Sequence, residues 1–201
     1  MKRKTLKKLV VFVCTGNTCR SPMAEAIFRK KAEEAGLVKL KVCSVGIKAK
    51  NNDTMNGKSA QVLAEKGLAV ENFKAKKVDK RSLKQSLAIV CLTDAQRDLL
   101  MEMRWQALRA DGEEEIENNV YSFSELAGYQ VLDPYGKDID CYRYVYELIA
   151  GGMSALFEKL IPQEIRKKLM DKPKTNEKKT TGKTVAKNNT KREKPQKGEV
   201  L

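Results

Sequence analysis

Apolar and polar positions along this chain fall into blocks of two alternating kinds. Residues 9–14 (LVVFVC) form an unbroken apolar run rich in β-branched side chains, as in a strand covered on both faces of a parallel sheet. Residues 23–36 instead set Met23, Ala26, Ile27 and Ala35 along one helical stripe. Pro22 suits the first turn, where its missing N–H costs nothing, and Gly36 suits the stop. Residues 40–46 then predict a second strand, 59–66 a helix closed by Gly67, and 87–92 a third strand. Asp94 is placed to cap a helix running to Arg109. A polar, acidic stretch over residues 111–118 precedes a short strand near Val120 and Tyr121. Residues 131–140 read as turns and 140–160 as a helix, which continues toward Met170 with an interruption near Pro162. Strands alternating with helices predict an α/β protein with a parallel sheet, and no internal repeat is evident.

Composition sharpens the boundaries. The 201 residues are 41% apolar, enough for one real core. The net charge of +14 sits at the ends. Five bases and no acids occupy residues 2–8, and ten bases with four acids occupy residues 171–201, leaving +3 for residues 9–170. The near-neutral middle gives no electrostatic footprint for nucleic acid. Beyond residue 171 apolar side chains nearly vanish, a composition that cannot offset chain entropy, so 171–201 is expected to be disordered. The expected division is a basic extension over 1–7, one domain over 8–170, and a Lys-rich tail.

Histidine is absent, which excludes a Ser-His-Asp triad, a Cys-His protease and a His-ligated zinc. An odd count of five cysteines does not describe a disulfide scaffold. The apolar run after the basic start is too short for a signal segment, and none approaches the ~20 residues that span a bilayer. The expectation is a reduced, cytoplasmic monomer without a membrane or nucleic-acid partner.

One segment carries chemistry: Cys14-Thr15-Gly16-Asn17-Thr18-Cys19-Arg20-Ser21, a C-x5-R-S loop between a strand and a helix N-terminus. Inward-pointing amides there form an anion nest, the helix adds partial positive charge, and Arg20 can grip two phosphate oxygens. Gly16 and Asn17 tolerate the left-handed angles that such a loop needs. A cysteine in this field is favoured as a thiolate and is a nucleophile aimed at phosphorus. A bare C-x5-R spacing also fits two small core cysteines in an ordinary connection. The upstream strand, the Gly-Asn pair, Ser21 and the following helix separate the two readings. Downstream, Asp133-Pro134-Tyr135-Gly136 is either a turn or an acid loop, with Asp138 and Asp140 as nearby carboxylates.

Together the two loops resemble the low-molecular-weight protein phosphatase family, with its C-x5-R-S loop after the first strand and its Asp-Pro loop near the end. The Ser44-Val45-Gly46 turn matches too, and the likeness covers residues 8–160. The resemblance implies a flavodoxin-like three-layer sandwich with about four parallel strands and helices on both faces. It implies a phosphatase domain over 8–170 acting on phosphorylated proteins with neither metal nor cofactor. Cys14 would be the nucleophile, Arg20 the phosphate grip and Asp133 the acid and base. Thr15, Gly16, Asn17, Thr18, Cys19 and Ser21 would bind phosphate, with Ser21 hydrogen-bonded to Cys14 and Tyr135 beside the substrate. Thr18, and one aromatic followed by Gly136, resemble the branch directed at phosphoarginine rather than phosphotyrosine. Two departures stand out: a His that buttresses the loop Asn in relatives falls near Phe73, and an aromatic pocket wall is Lys48.

Tyrosine phosphatase is the nearest alternative. Arsenate reduction on the same fold needs a cysteine relay that Cys91 and Cys141 do not supply in an obvious way. A binding protein acting through the basic tail is the third alternative, but that tail has no aromatic to stack on a base. Cys19 is read as a redox guard for Cys14. Cys43 and Cys91 are read as buried strand residues and Trp105 as a cover on the core; Tyr142, Tyr144 and Tyr146 are read as helix-surface residues, with the pocket mouth or modification sites as alternatives.

Overall fold

The computed structural model describes residues 6–113 and 117–170, so the expected disordered tail and most of the basic extension lie outside the described residues. β1 (Leu9–Cys14) leads into α1 (Arg20–Glu34), β2 (Lys41–Gly46), α2 (Gly57–Glu65), α3 (Lys80–Gln85) and β3 (Ser86–Cys91). α4 (Asp94–Arg109), β4 (Val120–Ser122), α5 (Phe123–Ala127), α6 (Ile139–Leu160) and α7 (Gln163–Met170) follow. The sheet is four-stranded, in the order β2-β1-β3-β4, and each pairing is parallel. Among the described residues no helix is long and apolar enough to cross a membrane.

The continuous apolar run of β1 is explained by its place, with neighbours on both sides and helices on both faces. Val10 and Phe12 pack with α1, α6 and α7, whereas Val11 and Val13 pack under Leu83 of α3 and Leu100 of α4. Phe28 of α1 meets Phe12 at 5.3 Å and Phe157 of α6 at 5.4 Å, centroid to centroid. Such ring pairs contribute about 0.5–1.5 kcal/mol each beyond the area they bury. β1 is also where the chain order reverses, with β2 on one side and β3 on the other. The carboxyl end of such a strand opens on a crevice between diverging connections.

Several expectations need correcting. α1 begins at Arg20, earlier than its apolar stripe, because the loop runs directly into its first turn. The cap of α4 is Thr93, whose hydroxyl accepts from Gln96 N–H, while Asp94 turns to Ser124 and Gln130. Ser122 first, then Ser124, holds the Asp94 carboxyl below its ordinary range. Trp105 is 47% exposed and lies against Arg109, so it does not cover the core. Cys91 is buried as expected but Cys43 is only half-buried, since β2 is an edge strand. Tyr144 is exposed, whereas Tyr142 and Tyr146 are buried on the inner face of α6.

Candidate active site

β1 ends by delivering Cys14, 3% exposed, to the mouth of the crevice. The next residues turn back sharply, and Asn17 takes the left-handed conformation at φ 55°. That turn aims the Asn17 N–H at Cys14 Sγ, 3.2 Å away, while Ser21 Oγ lies 3.0 Å from the same sulfur. The loop carbonyls are tied outward: those of Cys14, Thr15 and Thr18 accept from the N–H groups of Ile47, Lys48 and Asn56 at 3.0, 2.8 and 2.9 Å. With its oxygens held on the far side, the loop presents amides to the crevice. Cys19 stands at the N-cap of α1 without a side-chain cap bond, which leaves the first-turn amides open to an anion.

Asn17 is fully buried, and its amide is the keystone of the loop. Nδ2 donates to Ser21 Oγ at 3.0 Å and to Ser44 Oγ at 2.8 Å, and Oδ1 accepts from Lys76 N–H at 2.8 Å. Ser44 in turn donates to Glu25 Oε2 at 2.6 Å. The loop Asn is supported by the Lys76 main chain and by the Ser44–Glu25 pair, and no histidine takes part. Gln96 reaches across from α4 to donate to Thr15 Oγ1 at 3.1 Å. Gly46 closes the back: a Cβ there would lie 2.7 Å from Thr15 O, 2.8 Å from Asn17 N and 2.9 Å from Ala49 Cβ. Only glycine allows β2 to approach the loop this closely.

Arg20 is 4% exposed, and its Nη2 donates to Asp133 Oδ2 at 2.6 Å. Its Nε is buried without a partner among the described residues. A buried, unsatisfied guanidinium donor beside a ring of open amides fits an oxyanion. The Asp133 carboxylate is half-exposed and accepts from Tyr135 N–H at 3.2 Å, while the Tyr135 ring is 74% exposed at the rim. The two rival carboxylates are engaged elsewhere. Asp138 caps α6 through Cys141 N–H, and Asp140 pairs with Arg143. Lys48 is exposed.

The structure therefore brings Cys14, Thr15, Gly16, Asn17, Thr18, Cys19, Arg20 and Ser21 together around one anion-sized cradle, with Asp133 and Tyr135 beside it. It also adds Ser44, Glu25 and Gln96, which nothing in the sequence marks as parts of this site, and it places Tyr142 beside Cys19 rather than on the helix surface. The Tyr142 hydroxyl lies 3.6 Å from Cys19 Sγ, and Lys58 Nζ lies 5.8 Å from its ring centroid. Burial, then the contact with Cys19, pushes the Tyr142 hydroxyl above its ordinary range. The spacing of Tyr142, Val145, Tyr146 and Ile149 is that of a buried helical stripe and would have placed it inside. Cys91, fully buried in β3 and pushed up by desolvation, is not placed to relay a disulfide outward. Among the described residues no group of three or more carboxylate or thiol side chains could hold a metal ion.

Comparison with known proteins agrees with this geometry. The family model described as low molecular weight phosphotyrosine protein phosphatase matches residues 9–170. A protein-arginine-phosphatase of Bacillus subtilis (strain 168) is 32% identical over 137 residues, 67% of this chain and 84% of that protein. The low molecular weight protein-tyrosine-phosphatase PtpB of Staphylococcus haemolyticus is 33% identical over 140 residues, 69% of this chain and 89% of its own. Among solved structures, a cysteine-to-serine variant of YwlE arginine phosphatase with a phosphorylated active-site serine superposes with a TM-score of 0.68. It is 27% identical, covering 79% of this chain and 99% of that one.

Proposed function

The chain belongs to the low molecular weight phosphotyrosine protein phosphatase family and is a phosphoprotein phosphatase, and from that premise we propose that it removes phosphate from phosphoarginine in proteins through a phosphocysteine on Cys14. In the first step Cys14 Sγ attacks phosphorus, an S–P bond forms and the P–N bond breaks. Asp133 gives its proton to the departing guanidine nitrogen. In the second step Asp133 takes a proton from water, whose oxygen attacks phosphorus and breaks the S–P bond. Inorganic phosphate leaves and the Cys14 thiolate is restored. Arg20 and the loop amides hold the three equatorial oxygens, and Ser21, 3.0 Å from Sγ, stabilises the charge on sulfur as it returns. The relative with phosphate on a serine in its active site supports a covalent intermediate.

The observation that carries the phosphoarginine reading is the pairing of Asp133 with a guanidinium, Arg20, at 2.6 Å. When protonated, the same carboxyl group can accept from the guanidine of a phosphoarginine side chain through one oxygen and give it the proton on the other. Thr18 in the loop and the arginine-phosphatase relatives support the same substrate. The exposed amine of Lys48 has solvent to turn into and need not oppose the substrate's charge. A phosphotyrosine reading draws on one observation, the exposed Tyr135 ring at the rim, against which a phenyl ring can pack. The ratio of kcat/KM for phosphoarginine and phosphotyrosine peptides decides between them. The parent is expected to prefer phosphoarginine, and Thr18→Ile is expected to move the ratio toward phosphotyrosine. A parent that prefers phosphotyrosine, or a ratio that Thr18→Ile does not change, sinks the substrate assignment and leaves the cysteine mechanism standing.

A further inference from the structure

Away from the cradle, the helices leave part of one sheet face uncovered. Leu9, Cys43 and Val45 floor a groove of about 770 Å³ there, bounded on one side by α3. Lys8, Lys41, Lys76, Lys77 and Arg81 line it, and the carboxylate among the lining residues is Asp79. That carboxylate caps α3, accepting from Ser82 N–H and Ser82 Oγ, each at 2.7 Å, and its charge, felt by Arg81, offsets one of the five. Lys84 at the rim is paired with Asp111. Among the described residues, none of the ion pairs uses Lys8, Lys41, Lys76, Lys77 or Arg81. Five like charges around one concavity repel one another, so gathering them does not stabilise the fold, and an anionic partner would relieve the repulsion. The floor stays neutral: burial, aided by the charge of Glu25, pushes the Cys43 thiol up to about 11.

Three observations favour an extended acidic protein segment as that partner. The groove has the size of a compact binding site, not of a channel that tracks a long backbone. No aromatic side chain lines it, so a nucleic-acid base has nothing to stack on. It also adjoins an open sheet edge. Lys41 N–H donates across to Lys8 O, just before β1, so alternation turns the main-chain groups of Val42, Ser44 and Gly46 outward. Gly46 already takes the chain at Lys77 as a strand-like neighbour, with Gly46 N–H on Lys76 O at 2.8 Å and Val78 N–H on Gly46 O at 2.9 Å. Nearer the start of β2, Arg29 makes one long contact to Val42 O at 3.4 Å. That stretch of edge suits an added extended chain.

We propose that this groove docks an acidic segment of the phosphoprotein substrate, with carboxylates on the five cations and an apolar side chain on the Leu9–Cys43–Val45 floor. The proposal rests on the phosphatase reading for the identity of its partner. The floor at Leu9 and the nucleophile at Cys14 are the two ends of β1, ~17 Å apart at about 3.3 Å per residue, so the docked segment lies several residues from the phosphorylated one. Lys76 belongs to both places. Its side chain lines the groove, and its main-chain N–H holds Asn17.

The test compares the full chain with a Lys8→Glu, Lys41→Glu, Arg81→Glu variant, three exposed side chains outside the cradle. Fluorescence anisotropy of a labelled, unphosphorylated peptide rich in Glu with interspersed Leu should show binding that weakens about tenfold in the variant and also on raising salt. Phosphopeptides with and without such a tract ten residues from the phosphorylated side chain should differ about tenfold in kcat/KM with the parent, through KM. The variant should lose that preference while its turnover of p-nitrophenyl phosphate is unchanged. A parent indifferent to the tract, a variant that keeps the preference, or tighter binding of single-stranded RNA or anionic vesicles would overturn the docking site. Charge-dependent binding of the acidic peptide by a protein that hydrolyses no phosphopeptide would sustain the groove and sink the phosphatase reading. If the triple variant does not fold, Lys41→Glu alone carries the same comparison.

Discussion

The loop after Cys14 draws hydrogen bonds from several segments, whereas Asp133 reaches the same space from a loop half in solvent, tied by Arg20 and the Tyr135 N–H. Asn17 alone is held by Ser21, Ser44 and Lys76 and is fully buried. Asp133 is 55% exposed at its side chain and leans on Arg20. The contrast matches the two tasks. Dipoles that stabilise charge at phosphorus act best when they need not move. The acid proposed at Asp133, by contrast, has to change partners. Arg20 Nε and Nη2 form one edge of the guanidinium, and a phosphoryl group gripped along that edge takes the place where Asp133 now rests. Tight support and solvent exposure are thus divided between two loops that share Arg20.

The largest test of this division is Cys14→Ser. It should lower kcat on p-nitrophenyl phosphate by at least about 10⁴-fold. Phosphate or vanadate should still bind, because Asn17, Ser21 and Arg20 keep the cradle. Activity within tenfold of the parent would contradict the mechanism. Asp133→Asn comes next. Poor leaving groups should slow by about 10²–10⁴-fold and activated aryl phosphates much less, since only the former need a proton. Inhibition by inorganic phosphate should tighten, because a neutral amide competes less well for Arg20. Equal losses on both substrate types would make Asp133 a structural residue and erase the contrast. Asn17→Ala should cost about 10²-fold in kcat through misplacement of the loop. An accompanying loss of about 1–3 kcal/mol in stability is expected for the groups left unpaired, read from thermal or urea unfolding. A variant with parental kcat would mean that the cradle does not depend on its keystone. The smallest effect concerns Cys19. If it captures a sulfenic acid on Cys14 as a disulfide, Cys19→Ser should recover severalfold less activity when thiol is added after peroxide. Equal recovery would leave Cys19 a packing residue against Tyr142.

The succession of strands and helices and the cradle were legible because both are local in sequence. β1 is a contiguous apolar run, and the loop that follows holds nucleophile, turn residues, guanidinium and hydroxyl within eight positions. Its supports were not legible, because Ser44, Glu25, Gln96 and the Lys76 main chain arrive from four different segments. No local pattern marks such long-range hydrogen bonds. α3 and α5 escaped because six and five residues are too few for a helical period to show. Their capping boxes, Asp79 with Ser82 and Ser122 with Glu125, were nonetheless written in the sequence. Trp105 was misplaced because an aromatic on a helix was assumed to face inward, yet a neighbouring guanidinium can cover a ring at the surface. The Asp-Pro-Tyr-Gly resemblance singled out Asp133, and the structure adds a physical reason, since Asp138 caps a helix and Asp140 pairs with Arg143.

Gly46 sets a limit of another kind, on how this chain can drift. Every single-base change to a glycine codon that alters the residue adds at least one side-chain carbon. Here that carbon would meet two main-chain atoms of the loop and Ala49 at under 3 Å. The clash falls on backbone, which cannot swing aside as a long side chain can, so even alanine forces the loop or the strand to move. Two positions on, Lys48 faces solvent and is free to vary with the substrate. Lineages that keep this chemistry can therefore rewrite the rim of the pocket one mutation at a time, while the floor behind it admits no intermediate step.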